Sequence, residues 1–71
     1  MTKIERENRE ARTRFYSEAL ELCRLGNKRY RDDVVMWGKS IPFGEAHIRR
    51  DLRRVGIEDA DIEGAFYGVT P

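Results

Sequence analysis

The chain has 71 residues, with fourteen basic and thirteen acidic side chains and a formal net charge of +1. With 38% charged and 39% hydrophobic residues, it is too polar for a membrane protein and too apolar for a wholly disordered one. The single Cys excludes a disulfide framework, and one His with one Cys excludes ordinary zinc-finger spacing. We expect a single small domain over residues 1–71, in the cytoplasm, with no membrane span, metal or other cofactor.

The first predicted element is a long helix over residues 2–25. Ile4, Ala11 and Phe15 recur at helical spacing and form a narrow apolar stripe. From Phe15 onward the stripe broadens, taking in Tyr16, Leu20, Cys23 and Leu25. A broad stripe indicates burial on several sides, whereas a narrow one indicates a single line of contact. We therefore expect the second half of this helix to lie in the domain body and the first half to project or to form a homodimer.

A second helix is predicted over residues 28–38, after a stop at Gly26 and Asn27. Both stop residues tolerate the left-handed backbone that ends helices. A short strand is the alternative for residues 28–38, because the run from Val34 to Trp37 contains β-branched and aromatic side chains. Gly38 is expected to end this element.

The remaining chain predicts a turn and two further helices. In the turn over residues 40–44, Pro42 is expected to hold the preceding residue extended. The third helix covers residues 44–55 and ends at Gly56, and the fourth covers residues 58–67 and ends at Gly68, before a tail over residues 69–71. The expected fold is all-α: three or four helices, with a long N-terminal helix and a helix-turn-helix-like body over residues 28–68.

Charge is unevenly distributed along the chain. Residues 57–71 contain four acidic side chains and neither Lys nor Arg, whereas residues 1–56 contain fourteen basic and nine acidic side chains. The sequence therefore predicts a basic body with an acidic end.

The third helix carries the most informative charge pattern. At about 100° per residue, an inner line of Ile48, Leu52 and Val55 leaves four arginines on the opposite arc: Arg49, Arg50, Arg53 and Arg54. Guanidinium groups on an exposed face contact phosphates or guanine edges. A solvated face and a contact with an acidic protein surface are the alternatives.

A family resemblance lies in the run Ile48-Arg49-Arg50-Asp51-Leu52. It resembles the recognition-helix signature of DeoR-type bacterial repressors, which runs Ser-x-x-Thr-Ile-Arg-Arg-Asp-Leu. Gly44 and His47 stand where that family has Ser and Thr, and a predicted acidic helix follows where the family has a β-hairpin wing. The run over residues 52–57, followed by Ile62 and Ala65, is similar to the helical repeats of RecX recombination regulators. The first resemblance implies contact between the third helix and DNA.

His47 and Cys23 are the remaining candidates for chemistry. His47 lies beside Glu45 and one turn from Asp51, which suits either a His–carboxylate pair that orients a base or a half-exposed helix histidine. Cys23 lies on the broad stripe, so we expect it to be a small buried hydrophobic side chain. A catalytic site also needs a concave pocket, which four short helices hardly enclose, so no enzyme activity is predicted.

Aromatic side chains surround the predicted turn. We expect Trp37 in the core and Phe43 as an exposed interface anchor. The predicted function is non-catalytic binding by a small helix-turn-helix-like DNA-binding regulator of bacterial or phage type. Its predicted contact residues are Arg49, Arg50, Arg53, Arg54, His47 and Phe43. The alternative is a small protein-binding inhibitor or adaptor that acts on a host protein or nucleoprotein complex.

Overall fold

A computed structural model describes residues 2–41 and 43–67. Within these ranges the chain forms four α-helices, a single 3₁₀ turn and no strand. The helices are α1 (Lys3–Arg24), α2 (Arg31–Ser40), α3 (Glu45–Arg54) and α4 (Asp59–Tyr67), and the 3₁₀ turn Lys28–Tyr30 precedes α2. The all-α prediction with a long N-terminal helix is confirmed. The predicted end of the fourth helix at Gly68 and the predicted tail over residues 69–71 lie outside the described residues.

Helix α1 begins and ends with sequence-encoded caps. The Thr2 hydroxyl accepts a hydrogen bond from the Glu5 amide at 3.2 Å, which satisfies one of the free donors of the first turn. At the other end Gly26 has φ of +98°, a conformation that favours glycine, and the Asn27 amide donates to the Leu22 carbonyl at 2.9 Å. The side chains of residues 2–10 are exposed, so the first half of α1 lies outside the core.

The second half of α1 packs on the domain body along a narrower face than predicted. Tyr16, Ala19 and Cys23 are buried. Phe15 remains 46% exposed and Leu25 63% exposed, so the expectation of burial on several sides is wrong for these two residues.

Residues 31–40 are helical, which excludes the strand alternative, and the predicted stop at Gly38 is wrong. Helix α2 continues through Gly38 to Ser40. Gly38 does not end the helix; it lets another helix approach closely. A Cβ at Gly38 would lie 2.7 Å from Ile48 Cδ1 and 3.1 Å from a Tyr16 ring carbon. Ile41 then takes the extended backbone that ends the helix, with φ of −120° and ψ of 160°, and Pro42 lies outside the described residues.

The core lies between α2, the inner face of α3 and the second half of α1. Its fully buried side chains are Val34, Ile48, Leu52 and Ile62. Gly56, with φ of +95°, ends α3 and lets the chain turn so that Ile57 and Ile62 close the core from the α4 side. The Arg31 guanidinium donates to the Asp61 carboxylate at 2.7 Å and links α2 to α4.

We predict that Gly38→Ala lowers the free energy of unfolding by about 1 kcal/mol, because overpacking against two buried side chains outweighs the better helix propensity of Ala. Urea unfolding followed by circular dichroism measures the change. Gly44→Ser is the control, since nothing lies within 4 Å of a Cβ there and Gly44 occupies the N-cap of α3. An unfolding free energy that rises in Gly38→Ala would contradict the close contact.

Candidate functional site

Helix α3 buries one ionisable side chain together with its apolar face. Ile48 and Leu52 are 1% and 0% exposed, and Asp51 on the same face is 6% exposed. A buried carboxylate is costly unless hydrogen bonds and charges compensate it. The partners of Asp51 therefore decide how α3 sits against its neighbours.

Three side chains surround the Asp51 carboxylate. The Tyr16 hydroxyl donates to Oδ2 at 2.6 Å, which joins α1 to α3. The His47 Nε2 atom lies 3.2 Å from the same oxygen, and the Arg54 guanidinium lies 3.4 Å from Oδ1. Burial, and then the hydrogen bond to Asp51, raise the pKa of Tyr16 well above its ordinary value.

Both ring nitrogens of His47 are engaged. The Arg50 guanidinium lies 3.0 Å from Nδ1 and can only donate, so Nδ1 accepts and the ring proton sits on Nε2, facing Asp51. Phe43 stacks on the imidazole with ring centres 4.7 Å apart. With 40% of its side chain exposed on α3, His47 fits the second of the two interpretations, a half-exposed helix histidine.

Arg49 departs from the predicted outward face. Its guanidinium donates to the carboxylates of Glu45 and Glu63 and lies 4.6 Å from the Phe66 ring centre, which leaves the side chain only 16% exposed. Hydrogen bonding, first to Glu63 and then to Glu45, raises the pKa of Arg49 above its ordinary value. The expectation of a free guanidinium fails here because α4 folds beside α3 and brings Glu63 to it.

The other three predicted arginines are exposed but differ in their partners. Arg53 donates to Asp59, the first residue of α4, at 2.8 Å. Arg54 keeps 70% of its side chain exposed while contacting Asp51. Arg50 contacts His47 and forms no salt bridge within residues 2–41 and 43–67. The four arginines are thus divided, with Arg49 and Arg53 paired to α4 carboxylates and Arg50 and Arg54 beside the α1 contact.

Phe43 is not the exposed anchor that the sequence predicted. Its ring meets the Tyr16 ring edge-on at 5.0 Å and stacks on His47, so it is half-buried beside the core. Trp37 packs against the core as expected, with one side on the Phe15 ring at 5.0 Å.

A groove between α1 and α2 was missed by sequence reasoning. It has a volume of about 150 Å³ and is lined by Phe15, Glu18, Ala19, Leu22, Tyr30, Asp33 and Trp37. We call these seven residues the α1–α2 groove. Phe15 and Leu22, one heptad apart, gave a signal, because Leu22 continues the apolar line of Ile4, Ala11 and Phe15. Asp33 gave none, because its place in the groove depends on how α2 packs.

Cys23 lies in the core and does not line this groove. It is 2% exposed, and burial, together with the nearby Asp33 charge, raises the pKa of its thiol. A buried thiol with a raised pKa carries little nucleophilic thiolate at neutral pH. The structure thus places Cys23 as a small hydrophobe.

Among residues 2–41 and 43–67, no three His, Cys, Asp or Glu side chains cluster in a way that could hold a metal ion. In the same part of the chain, no helix combines the length and apolar content that a bilayer span requires.

Comparison with protein-family models, with curated proteins and with solved structures gave no match.

We predict that Tyr16→Phe lowers the free energy of unfolding by about 1–3 kcal/mol, because Asp51 loses a buried donor. The pKa of Tyr16 is raised in the folded chain relative to the unfolded chain, where it is about 10. The Tyr16 hydroxyl therefore stabilises the fold below a pH of about 10, and this stabilisation is lost as the pH rises above that value. Urea unfolding of the native chain and of Tyr16→Phe, at pH values from neutral to strongly alkaline, measures this loss of stability.

The gap in stability between the native chain and Tyr16→Phe should therefore narrow above a pH of about 10. Other groups that titrate in this range, including Cys23, are common to both proteins and cancel in the difference. A gap that stays constant to strongly alkaline pH would contradict the role of the Tyr16 hydroxyl.

Proposed function

We propose that the protein is a non-catalytic protein-binding module, a small adaptor or inhibitor, and that the α1–α2 groove is its contact surface. The observation that carries this proposal is the composition of the groove, in which three aromatic side chains stand beside two carboxylates: Phe15, Tyr30, Trp37, Glu18 and Asp33. Aromatic side chains are enriched at the centres of protein interfaces, where they serve as anchors.

The two carboxylates define the chemistry of the partner. Neither Glu18 nor Asp33 forms a salt bridge in the part of the chain that the structure describes. A Lys or Arg side chain suits such a groove, since its alkyl stem packs on aromatic rings while its charged head approaches the carboxylates. The Tyr30 ring already carries a guanidinium, that of Arg29, at 5.3 Å from the ring centre. The partner is therefore a protein segment with a basic residue next to an apolar one.

The α3 surface supports nucleic-acid binding less well. Arg49 and Arg53 are paired with Glu63 and Asp59, so a phosphate that approaches them also meets carboxylates. Affinity for DNA depends on how many phosphates the protein neutralises. Because two of the four arginines are paired to α4 carboxylates and a third, Arg54, contacts Asp51, the protein-binding function is the better supported one.

DNA binding remains the second candidate because of Arg50 and Arg54. Both are exposed, and both lie beside the Asp51 contact, Arg50 through His47 and Arg54 directly. Helices α2 and α3, joined by residues 41–44, keep the order of a helix-turn-helix, and α3 carries the run that resembles the DeoR-type recognition helix. In this candidate function Arg50 and Arg54 contact phosphates or base edges.

We predict that short peptides pairing one Lys or Arg with one Leu or Phe change the fluorescence of Trp37, the only tryptophan of the chain. Glu18→Lys should weaken this binding by about tenfold, equivalent to 1.4 kcal/mol, because it reverses one charge of the groove. Glu10→Lys, the same change at an exposed position outside the groove, is the matched control. Equal binding of acidic peptides, or no binding of any basic peptide, would contradict the proposal.

For the second candidate we predict a gel shift of mixed-sequence duplex DNA at low salt. Arg50→Ala with Arg54→Ala should weaken binding and reduce the slope of log affinity against log salt by about 2, one contact for each lost arginine. Arg6→Ala with Arg9→Ala makes the same charge change on the first half of α1 as a control. Unchanged mobility of DNA at high excess of native protein would exclude this candidate.

A further inference from the structure

The first half of α1 carries a stripe of mostly apolar side chains that the rest of the described chain leaves partly or largely exposed. Ile4, Asn8, Ala11 and Phe15 follow one another at alternating spacings of four and three, which places them on one face of the helix. We call these four residues the outer stripe. Ile4 is 70% exposed, and Phe15, one side of which contacts Trp37, is 46% exposed. The buried side chains of α1 lie toward one edge of this stripe: Tyr16, Ala19 and Cys23.

Charged side chains line both edges of the outer stripe, and their sign differs between its two ends. Glu5 and Arg12 lie along one edge, and Glu7 and Arg14 lie along the other. None of the four forms a salt bridge within residues 2–41 and 43–67. Arg12 donates only to the carbonyls of Asn8 and Ser40, at 3.3 and 3.1 Å. Each edge is therefore acidic near the start of α1 and basic about two turns later.

We infer that a second copy of this chain packs antiparallel on the outer stripe. In the register that places Asn8 opposite Ala11 of the second copy, Ile4 lies opposite Phe15. Antiparallel helices bring like edges together, so Glu5 faces Arg12 of the second copy and Glu7 faces Arg14. By two-fold symmetry each pairing occurs twice.

The parallel arrangement fits these charges less well. It pairs Glu7 with Arg12 of the other copy but leaves Glu5 and Arg14 without an opposite charge. Continued along the same seam, it also places Glu18 of one copy beside Glu18 of the other, which is repulsive. The edge charges therefore select the antiparallel order.

The proposed helix pair is short, so we expect the dimer to be weak. Residues 4–15 span about 18 Å at 1.5 Å per residue. An interface that buries less than about 1,200 Å² is typical of weak, reversible association. Asn8 lowers the affinity further but favours one register, since a polar side chain in a helix seam tolerates few neighbours. Self-association through the outer stripe goes beyond the proposed protein binding, and only Phe15 belongs to both surfaces.

Sedimentation equilibrium of the native chain over rising concentrations at low salt tests the inference, with two charge reversals as variants. E7R and R14E should each weaken dimerisation by about tenfold or more, because each one sets like charges against each other in the antiparallel pair. An equimolar mixture of E7R and R14E should recover association. In the mixed pair one copy is basic at both positions and the other is acidic at both.

Matched controls separate this result from a general effect of charge. E10R and R6E make the same charge changes at exposed positions of α1 outside the outer stripe and its edges, and both should associate like the native chain. Circular dichroism should show equal helix content in all variants, since residues 7 and 14 are exposed. A native chain that stays monomeric at all concentrations, or a mixture that fails to recover, would overturn the inference. Loss of peptide binding by Glu18→Lys would not bear on this result.

Discussion

The buried Asp51 carboxylate is the constraint on which the arrangement of α1 and α3 depends. A charge in the core is tolerated only where several partners meet it, and Tyr16, His47 and Arg54 supply these partners from two helices. Because Tyr16 Oη must lie 2.6 Å from Asp51 Oδ2, α1 has little freedom to slide or rotate against α3. The apolar contacts of Ile48 and Leu52 supply burial, and the Asp51 network supplies the specific alignment.

The spatial placement of charge differs from its placement along the chain. The acidic end of the sequence folds beside the most basic helix, so Glu63 and Asp59 neutralise Arg49 and Arg53. Arg49 also lies over the rings of Phe66 and Tyr67, at 4.6 and 5.9 Å from their centres. These contacts attach α4 to α3 and remove part of the basic surface. The α1–α2 groove and the outer stripe contain none of these paired arginines.

Local sequence signals were enough for the helices but not for contacts between them. The apolar spacing of α1 and the glycines at positions 26 and 56 predicted where α1 and α3 end, because capping is a local property. Gly38 was misread as a stop because its role depends on the close approach of Ile48 from another helix. Arg49 was expected to be free because its partner Glu63 lies fourteen residues further on. The α1–α2 groove was missed for the same reason, since Glu18 and Asp33 meet only in the folded chain.

The exposed start of α1 has a consequence for local stability. Isolated helices shorter than about 12–15 residues are marginal in water, so residues 3–10 do not fold by themselves. They stay helical as an extension of the turns that pack at Tyr16 and Ala19, with the Thr2 cap closing the free end. Fraying of this helix therefore starts at its first turn and stops where packing begins, so amide protons exchange with solvent progressively more slowly from residue 3 toward residue 16.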